Sequence, residues 1–555
     1  MHKHMGSQCA GRRSAHNRNL AASALRCTGG LNCQNEPMTV VDEPSKNDTE
    51  QLPVGWVRTT LGNVGVVSSG GTPPAADESN FGGAIPWITP ADLTGYKEKF
   101  ITGGRRNLSE QGYKASSATI VDTGSVLFSS RAPIGYVALA RNPISTNQGF
   151  KNLTPYSGIS SDYLYHYLKS AKQLAQSYAS GTTFLELSGA KFASLPLPLP
   201  PLPEQRRIVT KIEELFSKLD AGVAELKRTQ VLLKRYRQSL LHAAVTGQLS
   251  RTWRETQTGE LEDAGELLAR ILDERRAKWK ASGKKGKYVE PKGPDVSGLP
   301  ELPQGWVWTN LGQTFEVGVG ATPSRAQSHF WGGNIPWVSS GEVAFCNIKK
   351  TRETITEAGY AASSTKLHPI GTVLIGMIGE GKTRGQVAIL NIEACNNQNS
   401  AAIRVSETPI LPEYIYYFLT SQYEESRRAA SGGNQLALNK SRVEVMKYPL
   451  PPLSEQAQIV TEVERRLSIL DNMQATVSAE LRRAESTRQS ILHRAFSGQL
   501  VPQDSSDEPA SILLERIKAE KVAAGTAAIR GQGKRGRKPK GAANQETLLA
   551  SGAEN

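Results

Sequence analysis

The sequence predicts an α/β chain of the mixed α+β kind: two similar globular domains separated by two long antiparallel coiled-coil helices, with pseudo-twofold symmetry. Three observations predict it. A heptad-spaced apolar stretch behind a proline run occurs twice. A second pattern, rich in Trp, Gly and Pro, occurs twice ahead of it at nearly the same offset. Between these fixed points the two halves diverge.

The heptad stretches are Leu197–Leu249 and Tyr448–Leu500. Each opens on prolines, which cannot enter a helix interior and so end what precedes. Glu204-Gln205 and Glu455-Gln456 follow in the first turn, where acceptors and negative charge suit a helix N-terminus. Ile212, Leu219, Leu226, Leu233 and Leu240 then recur every seven residues, as do Val463, Leu470, Val477, Ala484 and Ile491. Gly247 and Gly498 supply the stop. A seven-residue apolar period held this long is a coiled-coil seam. A helix from Glu204 to about Ala244 would be roughly 60 Å long at about 1.5 Å per residue. Such a rod needs a partner, and the chain holds one of equal length. The alternative is two independent surface helices on two separate domains.

In chain order, residues 1–50 are polar and aperiodic and are expected to be a disordered extension, with Met38 as the true start. Their three histidines and three cysteines have irregular spacing, unlike a metal site. Residues 51–203 form the first globular domain and 301–454 the second. Trp306 minus Trp56, Pro323 minus Pro73 and Trp337 minus Trp87 all give 250, whereas Pro449 minus Pro198 gives 251. Tyr163, Tyr165 and Leu168 match Tyr414, Tyr416 and Leu419 on an expected helix. Asn147-Gln148 matches Asn397-Gln398, and Ala179-Ser180-Gly181 matches Ala430-Ser431-Gly432. Ser125–Ser129 and Thr372–Ile375 read as strands. Residues 204–249 and 455–500 are the two spacer helices. A linker (250–300) and a tail (501–555) each carry a short helix and a basic segment, the tail ending in disorder. A repeat this long means two domains on two rods rather than a solenoid. Antiparallel rods would hold the domains at opposite ends, in the arrangement that matches two separated, inverted half-sites on a duplex.

Composition narrows the function. The formal net charge of +14 and pI near 9.4 favour a polyanionic partner. No apolar run approaches the roughly 20 residues of a membrane span. Five cysteines without paired or C-x-x-C spacing fit a reducing cytoplasm. Gly376–Thr383, GMIGEGKT, fits the phosphate-binding G-x-x-x-x-G-K-[ST] pattern. That loop needs a helix immediately after it, and RGQVAIL reads as strand, which leaves two readings: a plain glycine-rich β-turn, or a DNA-facing loop carrying Lys382 and Arg384, the second preferred. No methyltransferase [ND]-P-P-[YF] motif, cofactor-binding glycine loop or nuclease carboxylate pair with its lysine is recognisable. His242 and His493 match near the rod ends and read as helix-end residues. Trp56, Trp306, Trp87 and Trp337 read as core anchors.

The pattern L-P-x-G-W…G-T-P…I-P-W, the Asn-Gln pair, and P-L-P-P-L-x-E-Q leading into a helix that ends G-Q-L, all present twice, resemble the DNA-specificity subunit of type I restriction-modification systems. The resemblance covers about residues 52–500. It implies two target-recognition domains, each reading half of a bipartite sequence in double-stranded DNA. It implies that the rods set the spacer and dock methylation subunits, two of them, with restriction subunits joining outside. The chain itself is then non-catalytic and cytoplasmic, with no cofactor of its own. S-adenosylmethionine, ATP and Mg belong to the partners. The DNA contacts it suggests lie in divergent polar loops: Thr72, Arg105, Arg106, Ser130 and Arg131 in the first domain, and Thr322, Arg325, Lys382, Arg384 and Asn434 in the second. The basic tail Arg530–Lys540 reads either as a minor-groove hook or as a solvated tail. Two other classes remain at this stage: a coiled-coil scaffold that binds only proteins, and a nuclease with a cryptic active site.

Overall fold

The short apolar runs expected as strands pair into sheets, and their central strands are buried along their whole length. A computed structural model describes residues 51–532 apart from 132, 182–184, 260–261, 284, 380–381 and 429–437. The expectations for residues 1–50, for Asn434 and for most of the basic tail lie outside the described residues.

Each globular domain contains the same three β units. In the first domain a five-stranded sheet runs in the order Gly65–Ser69, Phe150–Pro155, Val126–Ser129, Val137–Ala140, Phe100–Ile101, antiparallel except for the last pair. In the second the order is Val317–Val319, Ser400–Ile403, Val373–Gly376, Val387–Leu390, Cys346–Ile348. A three-stranded sheet sits beside each: Arg106–Leu108, Phe81–Ile88, Ser145–Thr146, and Glu353–Ile355, Trp331–Val338, Cys395–Asn396. A two-stranded ribbon joins the start of each domain to its proline-rich exit, Val57–Thr60 with Pro196–Leu199 and Val307–Asn310 with Lys447–Leu450. Proline is tolerated in such a ribbon because it has an unpaired edge. The matched tyrosines secure that exit. Tyr163, on helix Ser161–Ser170, donates its hydroxyl to the Pro198 carbonyl at 2.6 Å, and Tyr414, on helix Pro412–Ser421, does the same to Pro449 at 2.6 Å.

The rods are helices Leu202–Val245 and Leu453–Phe496. Two ion pairs give their direction: Asp220 with Arg488 and Arg237 with Asp471. The 17-residue step from Asp220 to Arg237 on one rod matches the 17-residue step from Arg488 back to Asp471 on the other, an antiparallel register. The 251-residue offset also converts one pair into the other, so a pseudo-twofold axis passes between the rods. The heptad residues lie on the seam: Ile212, Leu240, Val463, Leu470 and Val477 are buried, and Leu219, Leu226, Leu233 and Ile491 half-buried.

Each end of the rod pair completes a domain core. Ile208, Val209 and Ile212 of the first rod join Leu492 and Ala495 of the second in the core of the first domain. Leu241, Ala244 and Val245 join Ile459 and Val463 in the other. The short helices after the rods finish these cores crosswise. Helix Ala264–Ala281 follows the first rod but packs on the second domain, through Ala264, Leu267 and Ile271. Helix Ala510–Gln532 follows the second rod and returns to the first domain, through Ala510, Leu513, Leu514 and Ile517. One backbone hydrogen bond repeats at each crossing: Ala264 N to Gly305 O and Ala510 N to Gly55 O, both 2.9 Å.

The rod surface is less symmetric than its seam. Leu232, Tyr236, Ile469 and Met473, each about half exposed, form a largely apolar trough with Leu233 and Leu470 toward the second domain, edged by Thr229, Arg465 and Arg466. The 251-residue offset places Arg483, Thr487, Lys218 and Gly222 at the equivalent points.

The Glu-Gln pairs do more than favour a helix N-terminus; all four side chains are buried. Gln205 Oε1 accepts from the Ser160 amide at 3.0 Å, and its Nε2 donates to the Pro200 carbonyl at 3.0 Å. Gln456 repeats this with Leu411 and Pro451, at 3.2 and 2.9 Å. Trp56 Nε1 donates to Glu204 at 2.9 Å, and Trp306 Nε1 to Glu455 at 2.8 Å. The remaining partners differ. Glu455 accepts from Ser250 Oγ at 2.6 Å and pairs with Arg254. Glu204 accepts from the Gln503 amide at 3.2 Å, and burial pushes its carboxyl above the usual range. Ionising Glu204 therefore costs stability as pH rises through its raised folded pKa. Glu204→Gln removes a buried charge but turns an NH2 toward one of two donors, Trp56 or Gln503, and should lower the melting temperature at neutral pH by less than the matching change at Glu455. Glu455→Gln strips Arg254 of its carboxylate and should cost about 2 kcal/mol. Thermal unfolding of the two variants at pH 7 checks this; equal losses would show that the two joints are equivalent.

Candidate nucleic-acid interface

Of the polar residues singled out in the divergent loops, one threonine in each domain binds the matched Asn-Gln turn. Thr72 Oγ1 donates to Gln148 Oε1, and Thr322 Oγ1 to Gln398 Oε1, across the same 76-residue separation. Behind each pair the matched tryptophan is a core anchor, as its repetition predicts. Trp87 Nε1 donates to the Gly71 carbonyl and Trp337 Nε1 to Ala321, both at 3.0 Å. The turn is braced from inside: Asn147 Oδ1 accepts from the Gly149 amide at 2.9 Å, and Asn397 Oδ1 from Asn399 at 3.2 Å.

The β-hairpin tips start at the same place. Ser130 N donates to the Gly149 carbonyl at 2.7 Å, and Met377 N to Asn399 O at 2.8 Å. This corrects one expectation. Ser130 is fully buried, and its hydroxyl donates to Gly149 O at 3.1 Å, so it supports the turn and cannot reach a ligand. Its neighbour Arg131 is half-buried and 3.5 Å from Glu186. Close by, Lys151 is buried, and burial lowers its ammonium pKa.

In the second domain the GMIGEGKT segment joins two antiparallel strands, with Ile375 opposite Val387. No helix follows it, so the geometry does not fit a nucleotide phosphate cradle. Lys382 is exposed and Arg384 half-buried on this hairpin, and the Lys382 carbonyl accepts from Tyr423 Oη at 2.9 Å.

Three arginines lie on the three-stranded sheets and their loops. The Arg105 side chain is 83% exposed, with its backbone amide held by Asp92 at 3.1 Å. Arg106 stacks on the Phe81 ring, 3.8 Å from its centroid. Arg325 stacks on Trp331, also at 3.8 Å, while its Nη atoms bind both oxygens of Glu353. Thr72 and Arg106, and likewise Thr322 and Arg325, thus flank one tryptophan in each domain. Sequence reasoning missed Glu353, Phe81 and Trp331. The repeated 76-residue spacing of Thr and Gln was a signal for the turn; no one-dimensional signal marked the stacked rings. Among the described residues no cluster of three His, Cys, Asp or Glu has metal-binding geometry, and no helix is long and apolar enough to cross a membrane.

One buried histidine supports the second turn. His368 Nε2 lies 2.9 Å from Asn396 Oδ1, and Asn396 Nδ2 donates to Ser400 O at 2.8 Å. Burial, helped by the Arg404 guanidinium, lowers the His368 pKa from 6.5 to about 4. Burial does the same to His166, beneath the first rod, also to about 4. Both protonate more readily in the unfolded chain, so their stabilising contribution is lost as pH falls from about 6.5 toward 4. Unfolding midpoints measured between pH 7 and pH 4 should fall more for the unaltered chain than for a His166→Phe/His368→Gln variant.

A family model for the type I restriction modification DNA specificity domain matches residues 53–228 and 303–483. The chain is 27% identical over 412 residues to the type I restriction enzyme MjaIX specificity subunit of Methanocaldococcus jannaschii, covering 74% of this chain and 86% of that one. It is 26% identical over 503 residues to the EcoKI specificity subunit of Escherichia coli, covering 86% and 97%. A solved chain from a study of complex assembly and conformational transition of the type I R-M system shares the fold, with a TM-score of 0.59 and 20% identity over 81% of this chain and 99% of that chain.

Proposed function

Since the chain belongs to the type I restriction-modification DNA specificity family, we propose that each of its globular domains reads one half of a bipartite site in duplex DNA while the rods fix the gap. The observation that carries this is the antiparallel register. It sets two faces of common build, but with different exposed side chains, at opposite ends of one rod pair. A duplex presents two inverted half-sites in that relation.

Lysine and arginine contacts to phosphate supply affinity that falls with salt, and side chains around the two Asn-Gln turns read base edges. The stretch of rod between the two cores, Ile212 to Leu240, spans about 42 Å at about 1.5 Å per residue. That is on the order of one duplex turn, ~34 Å, plus the reach of the loops.

In this reading the chain performs no chemistry. The rods dock two methylation subunits, restriction subunits join outside them, and S-adenosylmethionine, ATP and Mg bind to those partners. The hairpin geometry of Gly376–Thr383 supports placing ATP elsewhere.

Exchanging Leu52–Pro196 for the same segment of a relative, then sequencing methylated positions in cells carrying the complete system, should change one half of the modified sequence. A change in both halves refutes separate readout. Inserting one heptad into both rods, after Leu226 and after Val477, should lengthen the gap by about three base pairs (about 10 Å) and leave both half-sites unaltered. An unchanged gap would show that the rods do not set it.

A further inference from the structure

Both domains mount a guanidinium on an aromatic ring at the same point of the fold, but they draw it from different parts of the chain. The mount is a bulge at the start of the long strand of the three-stranded sheet. Phe81 and Ile85 both face Leu108, and Trp331 and Ile335 both face Ile355. A Gly-Gly pair makes the bulge. Gly82 and Gly332 have φ near +80°, and a Cβ on Gly83 or Gly333 would lie 2.5 Å from backbone atoms of Ser109 or Thr356. The ring ahead of the bulge is thereby lifted beside the anchored tryptophan.

In the first domain the guanidinium is that of Arg106, from the strand facing Trp87, and among the described residues no carboxylate lies within ion-pair distance of it. In the second domain the strand position facing Trp337 is Glu353. The cation there comes from Arg325, in the loop ahead of the ring, with both Nη atoms bound to Glu353. One mount thus presents a bare cationic plate in one domain and a guanidinium–carboxylate plate in the other. A purely structural brace would not need the hydrogen-bonding pattern to change.

Resting on the proposed reading of the two domains, the geometry points to Arg106 on Phe81, and Arg325 with Glu353 on Trp331, as the base-reading groups of the two half-sites. Stacking covers one face of the guanidinium and fixes its plane, so its donors project edge-on with little rotamer freedom left to lose. A bare, fixed guanidinium fits the O6 and N7 acceptors of guanine, and Arg106 takes that base. In the second domain the carboxylate contributes an acceptor beside the cation. Glu353 takes an amino hydrogen, from cytosine N4 or adenine N6, while Arg325 orients it.

The test is the methylated sequence produced by the intact system carrying Arg106→Ala, Arg106→Lys, Arg325→Ala or Glu353→Ala, with thermal unfolding of each purified chain alongside. Arg106→Ala and Arg106→Lys should each relax the preference for one G·C pair in a single half-site by about 5- to 150-fold, with the other half-site unchanged. Arg325→Ala and Glu353→Ala should relax one pair in the opposite half-site. The assignment is overturned if Arg106→Lys reads as the unaltered chain does, because charge alone then suffices. It is also overturned if Arg106→Ala leaves the sequence unchanged, or if a variant that melts normally loses methylation at all sites without relaxing one pair. Absence of bipartite methylation by the unaltered chain would remove the parent reading, and this assignment with it.

Discussion

The structure depends on the fact that neither rod can end without entering a core. A helix of 44 residues with one apolar seam has no stable place alone in water, and here both its ends are buried, each in a different domain. The first domain is completed by the start of one rod and the end of the other, and the second by the reverse. The domains therefore cannot swing independently without opening a core. The mid-rod ion pairs Asp220–Arg488 and Arg237–Asp471 are partly exposed and contribute little stability themselves. Their place in a fixed register comes from the seam and the two buried ends.

The joints between domain and rod show how a duplicated device diverges without losing its geometry. The glutamine at each joint satisfies backbone groups that a helix start would otherwise strand, with the same pattern of partners on both sides. The glutamate accepts a tryptophan N–H on both sides, but only Glu455 keeps a cation. Glu204 rests on neutral donors, so its burial is felt in its pKa.

Much of this was legible in the sequence, because periodicity and repetition are one-dimensional signals. The heptads gave the rods, the near-constant offset gave the duplication, and the strand after GMIGEGKT argued against a phosphate loop. Three features were not legible, each because it depends on contacts distant in sequence. Glu204 and Glu455 looked like helix-start residues because their partners lie nearly 150 positions away. Ser130 looked like a loop residue, but it is buried and bound to the carbonyl of Gly149 in the turn. The short helices after the rods repeat visibly, yet nothing in their sequence says that each belongs to the other domain. Of the candidate contacts, Thr72 and Thr322 were picked by their place in divergent loops, and only the structure shows that each hydrogen-bonds the repeated Asn-Gln turn. Arg106 and Arg325 were placed by divergence alone, which could not show that both stack on the same mount.

The apolar trough of Leu232, Tyr236, Ile469 and Met473 has a consequence for assembly. Two copies of one partner, approaching the rods by the pseudo-twofold axis, would not meet the same ground. One would find a hollow of Leu232, Tyr236, Ile469 and Met473 rimmed by Arg465 and Arg466, and the other Arg483, Thr487, Lys218 and Gly222, with no apolar side chain at those four points. Duplication copies a backbone faithfully, but it leaves the two flanks free to drift in wettability, so a scaffold that is even-handed in shape is partisan in adhesion.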